Sequence, residues 1–115
     1  MDVVVGVGGW EHACCGPAIE RDQLVDLGCL RVLAPDGGVE LSETHHDVEP
    51  EVRVQGRVRD IQVARLGQPA QPVLRLPSGA ALRGFDDEDD GHLEDPWTGE
   101  LLPDGDEFVL IVDVG

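Results

Sequence analysis

Between residues 51 and 66 the apolar positions alternate and then change step. Val52, Val54 and Val58 are interleaved with Arg53, Gln55 and Arg57, whereas the next apolar residues, Ile61 and Val63, fall on odd positions. A period of two gives a strand one buried face and one wet face. It cannot change parity without an extra residue, so the sequence predicts a β-bulge at Arg59-Asp60. A long strand bent by a bulge is what a small barrel uses to turn a corner.

The remainder of the chain is read to fit that strand. Residues 2–7 are short and β-branched and run into glycines, which predicts a first strand. Residues 23–33 form a second extended segment, in which Gly28 suggests a bend or bulge; a short helical turn over 19–27 is the variant reading. Pro35-Asp36-Gly37-Gly38 is a turn signal, and the stretch from Val39 to Pro50 is polar and acidic. After the loop at 67–72, the segments 73–76 and 80–85 read as a hairpin across Pro77-Ser78-Gly79. Residues 86–106 are acidic and rich in turn formers, which predicts a long loop or mobile arm. Residues 107–114 are apolar on both faces, as a central or closing strand requires.

No amphipathic helix longer than two turns is visible. The expectation is therefore an all-β chain, or a β-rich one with a single helical turn, folded as a five- to six-stranded barrel-like domain. Its 115 residues suit one domain with one core. With two Phe, two Trp and no Tyr, that core must be aliphatic.

Eight basic residues, all Arg, stand against 24 acidic ones, for a net charge of −16. Such an excess argues against nucleic acid or an anionic membrane as a partner, since both need a basic footprint. It leaves a solvated acidic surface, or a basic protein partner, with a nucleic-acid mimic as one form of the latter. Three cysteines make a closed disulfide framework implausible. With no basic leader before the first apolar run and no span of about 18 apolar residues, the expectation is a reducing cytoplasm.

Two segments concentrate the residue types that bind metals or do thiol chemistry. The first, Trp10-Glu11-His12-Ala13-Cys14-Cys15-Gly16-Pro17, holds two cysteines, a histidine and a tryptophan. The second is Glu43-Thr44-His45-His46-Asp47. Cys14 and Cys15 with His45 and His46, or His12 as an alternate, would supply the soft-to-borderline set that tetrahedral zinc takes. Neighbouring residues of an extended chain point in opposite directions, so both cysteines reach one ion only from a tight turn, which Gly16-Pro17 can provide. The bland reading keeps one cysteine as a small hydrophobe and the histidines on a wet loop. An alternative use is a thiol–imidazole pair, Cys14 or Cys15 as nucleophile and His45 or His46 as base, but no oxyanion hole accompanies it.

The pattern Trp10-x3-Cys14-Cys15-Gly16, followed by His45-His46 and then by Gly56, Val58 and Ile61, resembles a domain-of-unknown-function family of small actinobacterial proteins. The likeness covers roughly the first 65 residues. It implies a kinship of fold and no particular activity.

Other patterns are weaker. Asp86, Glu88, Asp90 and Gly91 fit the first half of an EF-hand loop, but the twelfth position is Trp97 where a bidentate Glu is needed, so only loose surface binding of a divalent ion is left. Gly6-Val7-Gly8-Gly9 follows a strand but lacks the later glycine of a phosphate loop. Trp10 and Trp97 are candidate partner anchors. Arg53, Arg57 and Arg59 are expected to pair with the acidic loop and hold it down, an anion site being the alternative.

Overall fold

The computed structural model describes residues 1–8, 16–33, 37, 39–44, 49–65, 67–103, 105 and 107–115. Its elements are β1 (Asp2–Gly8), β2 (Ile19–Glu20), β3 (Leu24–Leu33), β4 (Val39–Glu43), β5 (Val52–Ala64), β6 (Gln71–Pro72), β7 (Arg75–Leu76), α1 (Gly79–Leu82), β8 (Leu93–Glu94), β9 (Leu101–Leu102) and β10 (Glu107–Asp113). The main sheet runs β10-β1-β4-β3-β5-β6, and β10 also pairs with β5, so five strands close into a ring. The barrel-like all-β expectation holds. Within that ring β1 and β4 are parallel and the other neighbours antiparallel.

The bulge lies where the sequence places it. Ile111 of β10 faces Asp60 and the next residue, Val112, faces Val58, so Arg59 is the extra residue. The bulge turns Val54 and Val58 before it, and Ile61 and Val63 after it, to the same interior. One strand thereby serves three partners: β3 along its first half, β6 near its end and β10 across the bulge. β10 is the closing strand: Phe108, Leu110 and Val112 point inward beside Val5, Val7, Leu27 and Cys29. Ile19, Val73, Leu76 and Leu93, from the short pairs β2–β7 and β8–β9 and the chain beside them, join the same aliphatic core.

Five local expectations need correction. Gly28 is not a bulge, because β3 pairs with β5 in unbroken register through it. A Cβ there would stand 3.1 Å from the Pro50 side chain, so the glycine admits a close approach. Residues 19–27 form no helical turn; Ile19–Glu20 is the short strand β2. The hairpin expected across Pro77-Ser78-Gly79 is instead the start of α1, with Ser78 as its cap: the Ser78 hydroxyl accepts from the Ala81 amide. Finally, the polar run after residue 38 contains β4, and the acidic stretch 86–106 contains the β8–β9 pair, with Leu93 buried.

The strand arginines also pair differently from expectation. Arg53 bonds Asp26 on β3, Arg57 donates to the Asp22 carbonyl, and Arg59 lies 3.7 Å from the Asp113 carboxylate. In the acidic stretch, Arg75 makes two bonds of 2.6 and 2.7 Å to Asp89, and Arg65 donates to the Pro103 carbonyl. Another arginine, Arg21, reaches across the core margin to the carbonyls of Val73 and Ile61 and to the Asp60 carboxylate at 2.7 Å.

Candidate functional site

Trp10, His12, Cys14, Cys15, His45 and His46 lie outside the described residues. What the structure does fix is where their segments begin and end. β1 and β4 are adjacent and parallel, with Val5 opposite Leu41 and Gly6 opposite Ser42. Parallel strands end at the same side of a sheet. The chain therefore leaves β1 at Gly8, toward the Trp-Cys-Cys segment, beside the point where it leaves β4 at Glu43, toward the His-His segment.

The chain is hydrogen-bonded to β3 on either side of the second segment. The Thr44 amide donates to the Gly28 carbonyl at 2.9 Å, and the Glu51 amide donates to the Cys29 carbonyl at 3.0 Å. Both bonds fall on consecutive residues of β3, so Thr44 and Glu51 are anchored side by side at Gly28 and Cys29. The first segment returns at Gly16, whose carbonyl accepts from the Gly79 amide at 2.9 Å.

Polar groups are buried at this end of the ring, which sequence reasoning did not anticipate. Glu43 is 3% exposed and faces Cys29 in the β3–β4 register. Next to it, the Thr44 hydroxyl is buried with no hydrogen-bond partner among the described residues. Leu41 and Glu43 share a parity that β4 turns inward, but a five-residue strand is too short a pattern to show this in the sequence. Cys29 is a core residue. Burial, then the nearby Glu43 charge, push its thiol up to about 11, so at neutral pH it stays protonated and a poor nucleophile.

No family model, curated protein or solved structure matches this chain. The site must be argued from its own residues.

The acidic stretch forms a different surface. Arg75, Asp87, Glu88, Asp89, Asp90 and His92 line an open depression of about 500 Å³. Two of its carboxylates, Asp89 and Asp90, are committed to their own chain, as is that of the neighbouring Asp86. Asp86 accepts from the Glu88 amide, Asp89 from Gly91 and Arg75, and Asp90 from the His92 amide and ring. His92 sits between Asp90 at 2.5 Å and Glu94 at 3.0 Å, and these bonds raise its pKa, Asp90 more than Glu94. Among the described residues no group of three His, Cys, Asp or Glu side chains is placed to hold a metal ion. Trp97 stands in the β8–β9 turn, 76% exposed, its amide and that of Thr98 held by the Asp95 carboxylate. Among the described residues no helix is long and apolar enough to cross a membrane.

The Arg75–Asp89 pair makes stability depend on acid. The Arg75 hydrogen bonds, then the Gly91 amide, hold the Asp89 carboxyl down at about 2. A depressed folded-state pKa contributes stability that is complete above the unfolded value near 4 and lost as pH falls through about 2. The pair is partly exposed, with 23% and 21% of the two side chains accessible. The expected loss between pH 4 and pH 2 is therefore about 1 kcal/mol after allowance for solvent screening. Urea titrations of the parent and Asp89→Asn chains check it: the gap between them should close as pH falls through that window. A gap independent of pH would assign the Asp89 contribution to something other than its charge.

Proposed function

We propose that the chain is a small, non-catalytic binding domain whose site is a Cys/His zinc centre at the end of the ring where β1 and β4 finish. Cys14, Cys15, His45 and His46 would be its ligands, with His12 as the alternate. The observation that carries the reading is the parallel β1–β4 pair, which brings both ligand-bearing segments out on the same side, one strand apart. Support comes from the hydrogen bonds of Thr44 and Glu51 to neighbouring residues of β3, which fix the described chain on either side of the His-His segment. The buried Glu43 and Thr44 side chains put polar groups at the end of β4. Zinc needs four ligands at about 2.0–2.3 Å in a closed tetrahedral set for a structural role. A fourfold protein set leaves no open position for a reacting water, which is why the reading is binding and not catalysis.

The test is metal content by elemental mass spectrometry on untagged, chelator-free protein, beside a Cys14→Ser, Cys15→Ser double variant. About one zinc per chain is expected in the parent and none in the variant. Thiol modification should release the zinc as two cysteines react, while Cys29 reacts only on unfolding. Absence of metal from the parent chain refolded with zinc, or zinc retained by the variant, would end this reading.

A further inference from the structure

A second surface lies on the outer wall of the ring, formed wholly by described strands. Asp2, Val3, Val4 and Gly6 of β1, Glu40 and Leu41 of β4, and Glu107 and Val109 of β10 line a groove of about 670 Å³. Its floor is apolar. Val4 is 58% exposed although its chain neighbours Val3 and Val5 are far better covered. Gly6 leaves the middle of the floor without a side chain, facing Val109 across the β1–β10 ladder. That space is not needed for folding, because a Cβ on Gly6 would meet only the Leu41 carbonyl oxygen, at an ordinary 3.6 Å. Carboxylates stand around the floor: Asp2 at one end, Glu40 on one side and Glu107 at the other end.

The backbone adds a second feature. β1 and β4 pair only across Val5–Gly6 and Leu41–Ser42, so the preceding residues of both strands do not close the ladder between them.

We infer that this groove docks an extended segment of a partner protein in which apolar side chains alternate with Arg or Lys. The alternation follows from the site: side chains of a strand project to opposite sides with a period of two, so apolar residues would enter the floor over Gly6 while basic ones reach the carboxylate rim. A second copy of the chain is a poor occupant, since each copy carries −16 and brings the same acidic rim. The groove shares no residue with the proposed zinc ligands, and its fate is separate from theirs.

The experiment is fluorescence anisotropy with two labelled heptapeptides of equal charge, one alternating arginine with valine and one alternating arginine with serine. The valine peptide should bind the parent chain at least tenfold more tightly, and it should do so with or without chelator. Gly6→Leu, which fills the floor without changing charge, should reduce it to the level of the serine peptide. Val4→Ser is the second floor variant, in case the leucine disturbs folding. Glu40→Arg and Glu107→Arg should each weaken binding about tenfold, whereas Glu100→Arg, on the exposed β8–β9 connection, should change it less than threefold. Equal affinity for the two peptides, or valine-peptide binding unaffected by both floor variants, would reduce the effect to general charge attraction and overturn the inference. Sedimentation showing self-association that Gly6→Leu abolishes would overturn it too, by giving the face to a second copy.

Discussion

Gly56→Ala is expected to lower stability by about 3 kcal/mol, at the upper end of what overpacking costs. Gly56 lies in β5 before the bulge, where that strand passes the end of β10. A Cβ there would overlap the Asp113 carbonyl oxygen and stand 2.8 Å from the carbonyl carbon, with a Val112 methyl at 3.0 Å. The obstacle is backbone, so no rotamer change relieves it. Nor is Asp113 free to retreat: its carboxylate accepts from the N-terminal ammonium and the Gly115 amide, and the Val114 amide donates to the Met1 carbonyl. Gly56 is thus a position where the ring leaves no room for a side chain. Gly8→Ala is the control, because nothing lies within 4 Å of its added Cβ, and its effect should stay within about 0.5 kcal/mol. Urea denaturation with an unchanged slope compares them. Equal midpoints for Gly56→Ala and the parent chain would mean that β10 does not close against β5 as described.

That closure could be foreseen in part. The parity change at Arg59-Asp60 was legible because the period of two is a local rule, and a strand cannot keep one face buried across an inserted residue without showing it. The apolar run of β10 was legible as a strand, although only its Phe108, Leu110 and Val112 face is buried and Val109 lies on the outer wall. β4 was not legible: five residues give too short a pattern, and its inward Glu43 breaks the rule that buried positions are apolar. The start of α1 was misread because Pro77-Ser78-Gly79 carries the residues of a turn, and only the capping bond from Ala81 to Ser78 distinguishes a helix start. The arginine partners were misassigned because register decides them. Arg53 meets Asp26 only because β3 and β5 place Gly28 opposite Arg53 and Gln55 opposite Asp26, and no single-strand pattern contains that information. The candidate zinc ligands show the same division. The residue types pointed to the chemistry, but what supports their convergence is the parallel β1–β4 pairing between strands more than thirty residues apart.

Arg21→Met should destabilise the chain by about 2–4 kcal/mol, through lost bonds to partly buried groups. No sequence pattern marks this residue. The turn that presents it places Asp22 in the left-handed region, at φ 66°, and returns the Asp22 amide to the Val58 carbonyl just before the bulge. From there the guanidinium, three-quarters buried, donates to Val73 and Ile61 carbonyls and pairs with Asp60. These are the residues on either side of the chain crossing where Val73 donates its own amide to Ile61. Arg21 therefore ties the residue after the bulge to the segment that covers the core, and methionine keeps most of the aliphatic stem while removing every donor. A lysine offers a point charge in place of a planar fork, so Arg21→Lys should recover the Asp60 contact but not the paired carbonyl bonds, and fall between the two. Asp60→Asn completes a double-mutant cycle with Arg21→Met. A coupling of about 1 kcal/mol is expected, smaller than the Arg21→Met effect itself, because most of the Arg21 contribution goes to backbone carbonyls. A coupling as large as the whole effect would make Arg21 a simple ion-pair partner of Asp60 and leave the bulge to be held by packing alone.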